Sequence, residues 1–294
     1  MTFSPLSGFL KLVSSRCNNF APNNIKPFDC YKFLIEGHFV GLIRPAIAEH
    51  LLRFPEVFQE VESQEERSII LNPMLKDFDE RSLAGWRDED FGIYSSNREK
   101  VFLKMERAAS VMLGVSRYGV HVNGYTFVRN PLTQKMEMFM WIAQRSLTKQ
   151  NHPGMLDNIV AGGLTYEMSV SDCVKKECVE EASIPEDLLE GLKPVGYVSC
   201  ISESCKGISP NLEFCYDLKL PAEFTPINSD GEVNGFRLLS IDQVKELICQ
   251  DIFKPNSGLV ILDFLFRHGF INPDQDVCNF LLLNSMLRRQ FPFD

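Results

Sequence analysis

The sequence predicts an α/β sandwich preceded by a smaller α+β domain. Three observations lead there. Residues 119–128 and 136–143 are strand-like apolar runs, and 195–201 and 213–220 add two more. Between these pairs lies a stretch, 159–184, that reads as strand, double glycine and helix. Two helical patterns close the chain, at about 241–249 and 258–267. Strands, a helix after a tight loop, more strands and final helices make a layered fold. The expected division is a flexible tail or targeting segment over 1–27, an α+β domain over 28–114 and the sandwich over 115–294.

Within the first domain, Phe33-Leu34-Ile35 and Phe39-Val40-Gly41-Leu42-Ile43 read as strands joined at Glu36-Gly37-His38. Pro45 opens a helix running to Leu52, since proline suits the first helical turn. A further helical turn is expected over 57–60 and a strand at Ser68-Ile69-Ile70-Leu71. Phe102, Met105, Ala109 and Met112 form one stripe of a predicted linking helix.

Composition narrows the partners. Hydrophobic residues at 45% and charged residues at 23% are ordinary for a globular protein, and 294 residues suffice for a full core. A net charge of -9 argues against nucleic acid or an anionic membrane as a general partner. It leaves room for an anionic small molecule met by a local cation. No run approaches the length of a membrane-spanning helix. The nine cysteines are odd in number and contain no CxxC pair, which suits reduced thiols in a cytoplasmic protein. Residues 1–28 hold Lys11, Arg16 and Lys26 but no acid before Asp29, so a mitochondrial or other organelle address is the alternative. Monomer and homodimer are both compatible with the sequence.

The chemistry concentrates in 159–184. Ile159-Val160-Ala161 reads as a strand end, and Gly162-Gly163 as a break that permits φ > 0 and close backbone approach. Ser169, Ser171 and Asp172 are N-cap candidates for a helix over about 172–182. On it Glu177, Glu180 and Glu181 share an arc of about 100°, opposite Val174, Cys178, Val179 and Ala182. Three neighbouring carboxylates repel one another, and a hard divalent cation such as Mg²⁺ or Mn²⁺ relieves that repulsion. A plain solvated acidic face is the competing reading.

This stretch resembles the Nudix box. Gly162 takes the leading glycine, Glu177 the glutamate after the arginine position, Glu180-Glu181 the paired glutamates, and Ile184 closes it. Met168, Lys176, Cys178 and Ser183 depart from the pattern, and Glu167 stands one residue from the early glutamate. The flanks are similar to one branch. They are His121-Val122-Asn123-Gly124-Tyr125, Trp141-Ile142-Ala143-Gln144-Arg145-Ser146, Pro153-Gly154-Met155-Leu156-Asp157-Asn158, Asp230-Gly231-Glu232-Val233 and Asp263-Phe264-Leu265-Phe266-Arg267-His268-Gly269. That branch comprises plant and fungal Nudix hydrolases related to the Nudix portion of fungal thiamine pyrophosphokinase, with an extra N-terminal domain.

The resemblance implies an α/β/α Nudix sandwich and a metal-dependent diphosphatase acting on thiamine diphosphate or its oxo and oxy analogues. A nucleoside diphosphate conjugate such as ADP-ribose, or a binding protein without activity, are the alternatives. Glu177, Glu180, Glu181 and the Gly162 carbonyl would hold the metal, with Lys176 in place of the orienting arginine. Glu181 is a candidate base, Glu232 is a candidate base or extra metal ligand with a plain turn glutamate after Asp-Gly as the equal alternative, and Glu177 shares the catalytic assignment. Arg145 is a candidate for phosphate contact with a surface ion pair as the equal alternative, and Lys149 follows the same logic with less weight. Trp86 and Arg87 could hold a ring and an anion, against a packed indole beside a surface arginine. His121 and His268 read as buried, hydrogen-bonded histidines, and Asp157 as a turn residue.

Overall fold

The computed structural model describes residues 5–21, 29–54, 61, 63–76, 86, 89–95 and 98–293. In chain order the helices are α1 (Pro5–Leu12), α2 (Pro45–Leu51), α3 (Gln64–Lys76), α4 (Ser110–Leu113), α5 (Val170–Ala182), α6 (Glu186–Leu189), α7 (Ile241–Ile248), α8 (Pro255–Arg267) and α9 (Val277–Met286). The strands are β1 (Tyr31–Ile35), β2 (His38–Ile43), β3 (Asp90–Tyr94), β4 (Val101–Glu106), β5 (Arg117–Arg129), β6 (Met136–Arg145), β7 (Leu156–Asn158), β8 (Val160–Gly163), β9 (Lys193–Ser204), β10 (Gly207–Lys219) and β11 (Val233–Ser240).

A central sheet runs β11-β6-β5-β10-β9, with β7 on β6 and β8 on β5. β5 and β10 are parallel, and the other pairs are antiparallel. Both faces are covered, as the layered prediction requires. One face carries Val120, Val122, Val160 and Leu218 against Val174, Cys178 and Ala182 of α5. The other carries Met140, Ile142, Val198 and Cys215 against α7, α8, Leu283 of α9 and the amino-terminal helix. No helix among the described residues is long and apolar enough to cross a membrane.

The amino-terminal segment corrects the expected tail. Leu6, Phe9, Leu12, Val13 and Cys17 are buried in the second core, on α1 and the π-helical turn Val13–Cys17 that continues it. Their i, i+3, i+6 spacing is a helical apolar stripe that the basic, serine-rich composition concealed.

A separate core joins β1, β2, α2, α3, β3, β4 and α4, through Ile35, Val40, Ile47, Leu71, Leu75, Ile93, Phe102 and Met112. The β1–β2 hairpin turns through Glu36 (φ 51°) and Gly37 (φ 80°), and Pro45 begins α2 as expected. Two expectations fail here. Residues 68–71 lie inside α3, because Ser68, Leu71 and Leu75 form a helical stripe that a four-residue apolar window cannot distinguish from a strand. The predicted linking helix is instead β4, paired with β3, followed by a short 3₁₀ turn and α4. Glu106 marks the switch, accepting from the amides of Ala108 and Glu89 at 3.0 Å each. The turn expected over 57–60 and the residue Arg87 lie outside the described residues.

Candidate active site

The helix α5 starts where Ser169 Oγ accepts from the amide of Asp172 at 3.0 Å. It ends at Ser183, which takes a left-handed φ of 51° at a position that favours glycine. The arc of glutamates is splayed across the helix flank. Glu180 is exposed, Glu177 half-buried and Glu181 only 6% exposed, turned into the protein with Val174 and Cys178. Val179, expected to pack, is exposed instead.

Gly162 and Gly163 do not break the strand. They complete β8, with Gly162 paired to Val120 and Gly163 to Gly119, and neither has positive φ. The need for glycine at 162 is steric. A Cβ there would overlap Cγ and Cδ of Glu177 and stand 2.7 Å from its Oε1. The carboxylate of Glu177 therefore lies directly on the strand.

Lys176 spans the helix flank, 2.8 Å from Glu180 and 3.6 Å from Glu177. Glu181 Oε2 accepts from the amide of Ala161 at 2.8 Å. Burial raises the Glu177 carboxyl above its ordinary value against the pull of Lys176, and Glu180 and Glu232 add to the rise. Burial pushes Glu181 up to about 8, opposed by the Ala161 amide and reinforced by Asp157 and Glu177. The loop before β11 closes over this edge. Gly231 turns it with φ 79°, Ser229 Oγ donates to the Glu180 carbonyl, and Glu232 forms an ion pair with Lys149.

Arg145 is committed elsewhere: its Nη1 donates to Asp157 at 2.9 Å, its Nε to the His152 carbonyl at 3.2 Å and its Nη2 to the Asn151 carbonyl at 3.0 Å. Asp157 also receives Lys254 and Ser257. His121 is buried with Nδ1 2.8 Å from Asn158 Oδ1, as expected; His268 Nε2 lies 3.0 Å from Asp217 as expected, but the ring is half-buried rather than buried. Trp86 packs on the amino-terminal core beneath Lys76.

The β3–β4 hairpin leans on the strand–helix loop. Tyr166 donates its amide to the Asp90 carbonyl at 2.9 Å, and a Cβ on Gly163 would meet Phe91 at 3.2 Å and Arg107 at 3.3 Å. Sequence reasoning missed this contact, along with the buried Glu213 that lies against Gly119 and 3.7 Å from His121. The only local signal was a pair of glycines facing each other across strands.

The sequence is 35% identical to Nudix hydrolase 20, chloroplastic, of Arabidopsis thaliana, over 98% of this chain and 79% of the relative. It is 37% identical to Nudix hydrolase 24, chloroplastic, of the same plant, over 92% and 75%. The chain belongs to the Nudix hydrolases. Residues 9–117 match a family model described as a domain of unknown function, DUF4743. The crystal structure of DR0079 from Deinococcus radiodurans is similar with a TM-score of 0.42 and 19% identity, over 59% of this chain and 96% of that one.

This Nudix chain is thus a hydrolase of diphosphate bonds, in a family that uses divalent metal. The donor chemistry suits such an ion, because Glu177 and Glu181 are oxygen donors whose charge is raised in cost by burial and mutual repulsion. Among the described residues no three acidic, His or Cys side chains converge into a cage as they stand. The reason is visible in their internal partners: Lys176 lies between Glu177 and Glu180, and Glu181 is turned to the Ala161 amide.

Proposed function

We propose that this Nudix hydrolase cleaves the diphosphate of a small organic molecule to a monophosphate and phosphate, using Mg²⁺ or Mn²⁺. The observation that carries the reading is the seating of Glu177 on Gly162 beside the buried, proton-retaining Glu181. Glu177, Glu180, Glu181 and the Gly162 carbonyl would hold the metal, which would neutralise diphosphate charge and promote attack by water. Glu181, pushed up to about 8, has the proton affinity of a general base near neutral pH. Glu232 is the second candidate, with Lys149 steadying it and available to a phosphate oxygen. Arg145 serves best as the buckle of the loop around residues 151–152, because its three nitrogens already donate there. For the substrate we propose thiamine diphosphate or its oxo and oxy analogues, on the resemblance of the flanking motifs.

The test is phosphate release from thiamine diphosphate, oxythiamine diphosphate, ADP-ribose and a dinucleotide, with Mg²⁺ and with chelator, alongside Glu181→Gln. Metal-dependent release from the thiamine compounds that the variant loses supports the reading. Turnover of ADP-ribose alone, seen as AMP, moves the substrate to nucleotides. Silence across the panel from folded protein overturns the activity.

A further inference from the structure

Arg98, at the tip of the β3–β4 hairpin, sits in an aromatic cage. Its guanidinium carbon is 4.2 Å from the ring centre of Tyr94 and 4.3 Å from that of Tyr118. Tyr118 stacks on Phe214 with centroids 6.4 Å apart and planes at 17°, and Tyr94 meets Tyr118 edge-on. Two rings from two strands hold the cation, and Phe214 from a third strand backs Tyr118.

Two features set Arg98 apart from a structural rivet. Its backbone has φ 58°, a left-handed conformation uncommon for a residue with a side chain. Its Nη1 is buried without a hydrogen-bond partner among the described residues. Buried donors in permanent positions are normally paired, as all three nitrogens of Arg145 are. Apart from a side-chain hydrogen bond with Tyr118, the guanidinium is held by the ring faces, and its Nη1 stays unpaired among the described residues.

The cage lies beside the carboxylates. Tyr118 and Val120 share one face of β5, because side chains alternate along a strand. Val120 pairs with Gly162, and Glu177 rests on Gly162 from that same face. Tyr118 is two positions along the strand from that pair, roughly 7 Å. The Tyr118 carbonyl also accepts from the amide of Leu164, immediately after the double glycine, at 2.9 Å.

We propose that Tyr94, Tyr118 and Phe214 form the site for a positively charged organic group on the substrate, with Arg98 as a built-in occupant that the substrate displaces. Aromatic faces attract weakly hydrated cations, and a flat cationic ring meets them better than a neutral one. The inference rests on the diphosphatase reading and narrows it: the diphosphate goes to the glutamates and the cationic end to the cage. An occupied cage lowers apparent affinity by the fraction of time it is closed, so emptying it tightens binding.

The experiment is calorimetric binding of phosphate-free thiamine, a flat organic cation, and of adenosine, a flat neutral ring, to the full chain. Arg98→Ala is expected to bind thiamine at least about threefold more tightly than wild type, with adenosine unchanged. Arg98→Met, which keeps apolar packing without the charge, is expected to move in the same direction and serves if the alanine variant does not fold. Adding Tyr118→Leu to either is expected to abolish the gain. Thiamine binding that is unchanged or weaker in the Arg98 variants overturns the proposal, as does no binding to any of the proteins at millimolar concentration. Hydrolysis of diphosphates is scored separately, so loss of that reading does not decide the cage.

Discussion

Replacing Gly162 by alanine isolates the contact between the strand and Glu177. The residue is not among those with positive φ, so alanine's own backbone is unstrained and the whole effect is steric. The new methyl would overlap Cγ and Cδ of Glu177 and stand 2.7 Å from Oε1, where ordinary contact begins near 3.4 Å. Overpacking of this kind costs about 1–3 kcal/mol. With Glu177→Ala in place the overlap is gone, and Gly162→Ala is then expected to be neutral or stabilising by about 0.4–1 kcal/mol through the unfolded chain. The coupling between the two substitutions is therefore about 1–3 kcal/mol, read from urea unfolding of the four proteins in chelator. Divalent-cation titration of Gly162→Ala should show weakened binding with the fold retained, since the displaced group is a proposed ligand. Additivity within about 0.5 kcal/mol would refute the contact and the steric reason for the glycine.

Three further outcomes are expected. Glu181 has its folded pKa raised from 4.5 to about 8, so its charge penalises the fold by an amount absent below the lower value and growing as pH rises through the window. In chelator, the stability advantage of Glu181→Gln over wild type should widen by roughly 2 kcal/mol from about pH 5 to about pH 7, and a flat difference would contradict the burial of that charge. Phe9→Ala should cost about 3–5 kcal/mol in denaturant unfolding, because Phe9 is 1% exposed in the main core; a change under about 1 kcal/mol would restore the tail. Ser183→Gly should raise thermal stability by about 1 kcal/mol, since the left-handed cap conformation penalises a side chain; a loss would mean the hydroxyl makes an interaction that outweighs it.

What the sequence made legible was what short-range rules govern. Ser169 as cap, Pro45 at a helix start and the Glu36-Gly37 turn are decided within a few residues, and each stands as expected. The segment 68–71 and the stripe from Phe102 to Met112 failed because apolar spacing alone does not separate a short strand from a helical turn. Pairing of β4 with β3 settled the second, and a single-segment apolar pattern carries no information about which partner strand is available. At the site, the three glutamates were readable but their separate burials were not. Glu181 turns inward because it falls on the stripe of Val174 and Cys178, seven and three residues before it. The cage of Tyr94, Tyr118 and Phe214 was beyond reach, since parallel pairing of β5 with β10 brings together residues about a hundred positions apart.

The contrast between Asp157 and Glu181 shows why the charge is left where it is. Both are buried, and the charge of Asp157 adds to the rise at Glu181. Burial would raise both, yet Asp157 lies well below the usual carboxylate range while Glu181 is pushed up to about 8. The difference is the supply of partners. Asp157 has Lys254, Arg145 and the Ser257 hydroxyl, whereas Glu181 has the Ala161 amide, only a minor pull from Lys149, and acidic neighbours in Asp157 and Glu177. The same matching holds for Asp217 and Asp263, which Arg267 bridges on the α8 face of the sheet. Charge on that face is compensated within the chain and fastens the closing helices. On the α5 face it is compensated by Lys176 at the rim and left unbalanced at depth. A fold that pairs buried carboxylates on one side of a sheet, and leaves Glu181 short of partners on the other, is consistent with the proposed role of the second side in holding a cation.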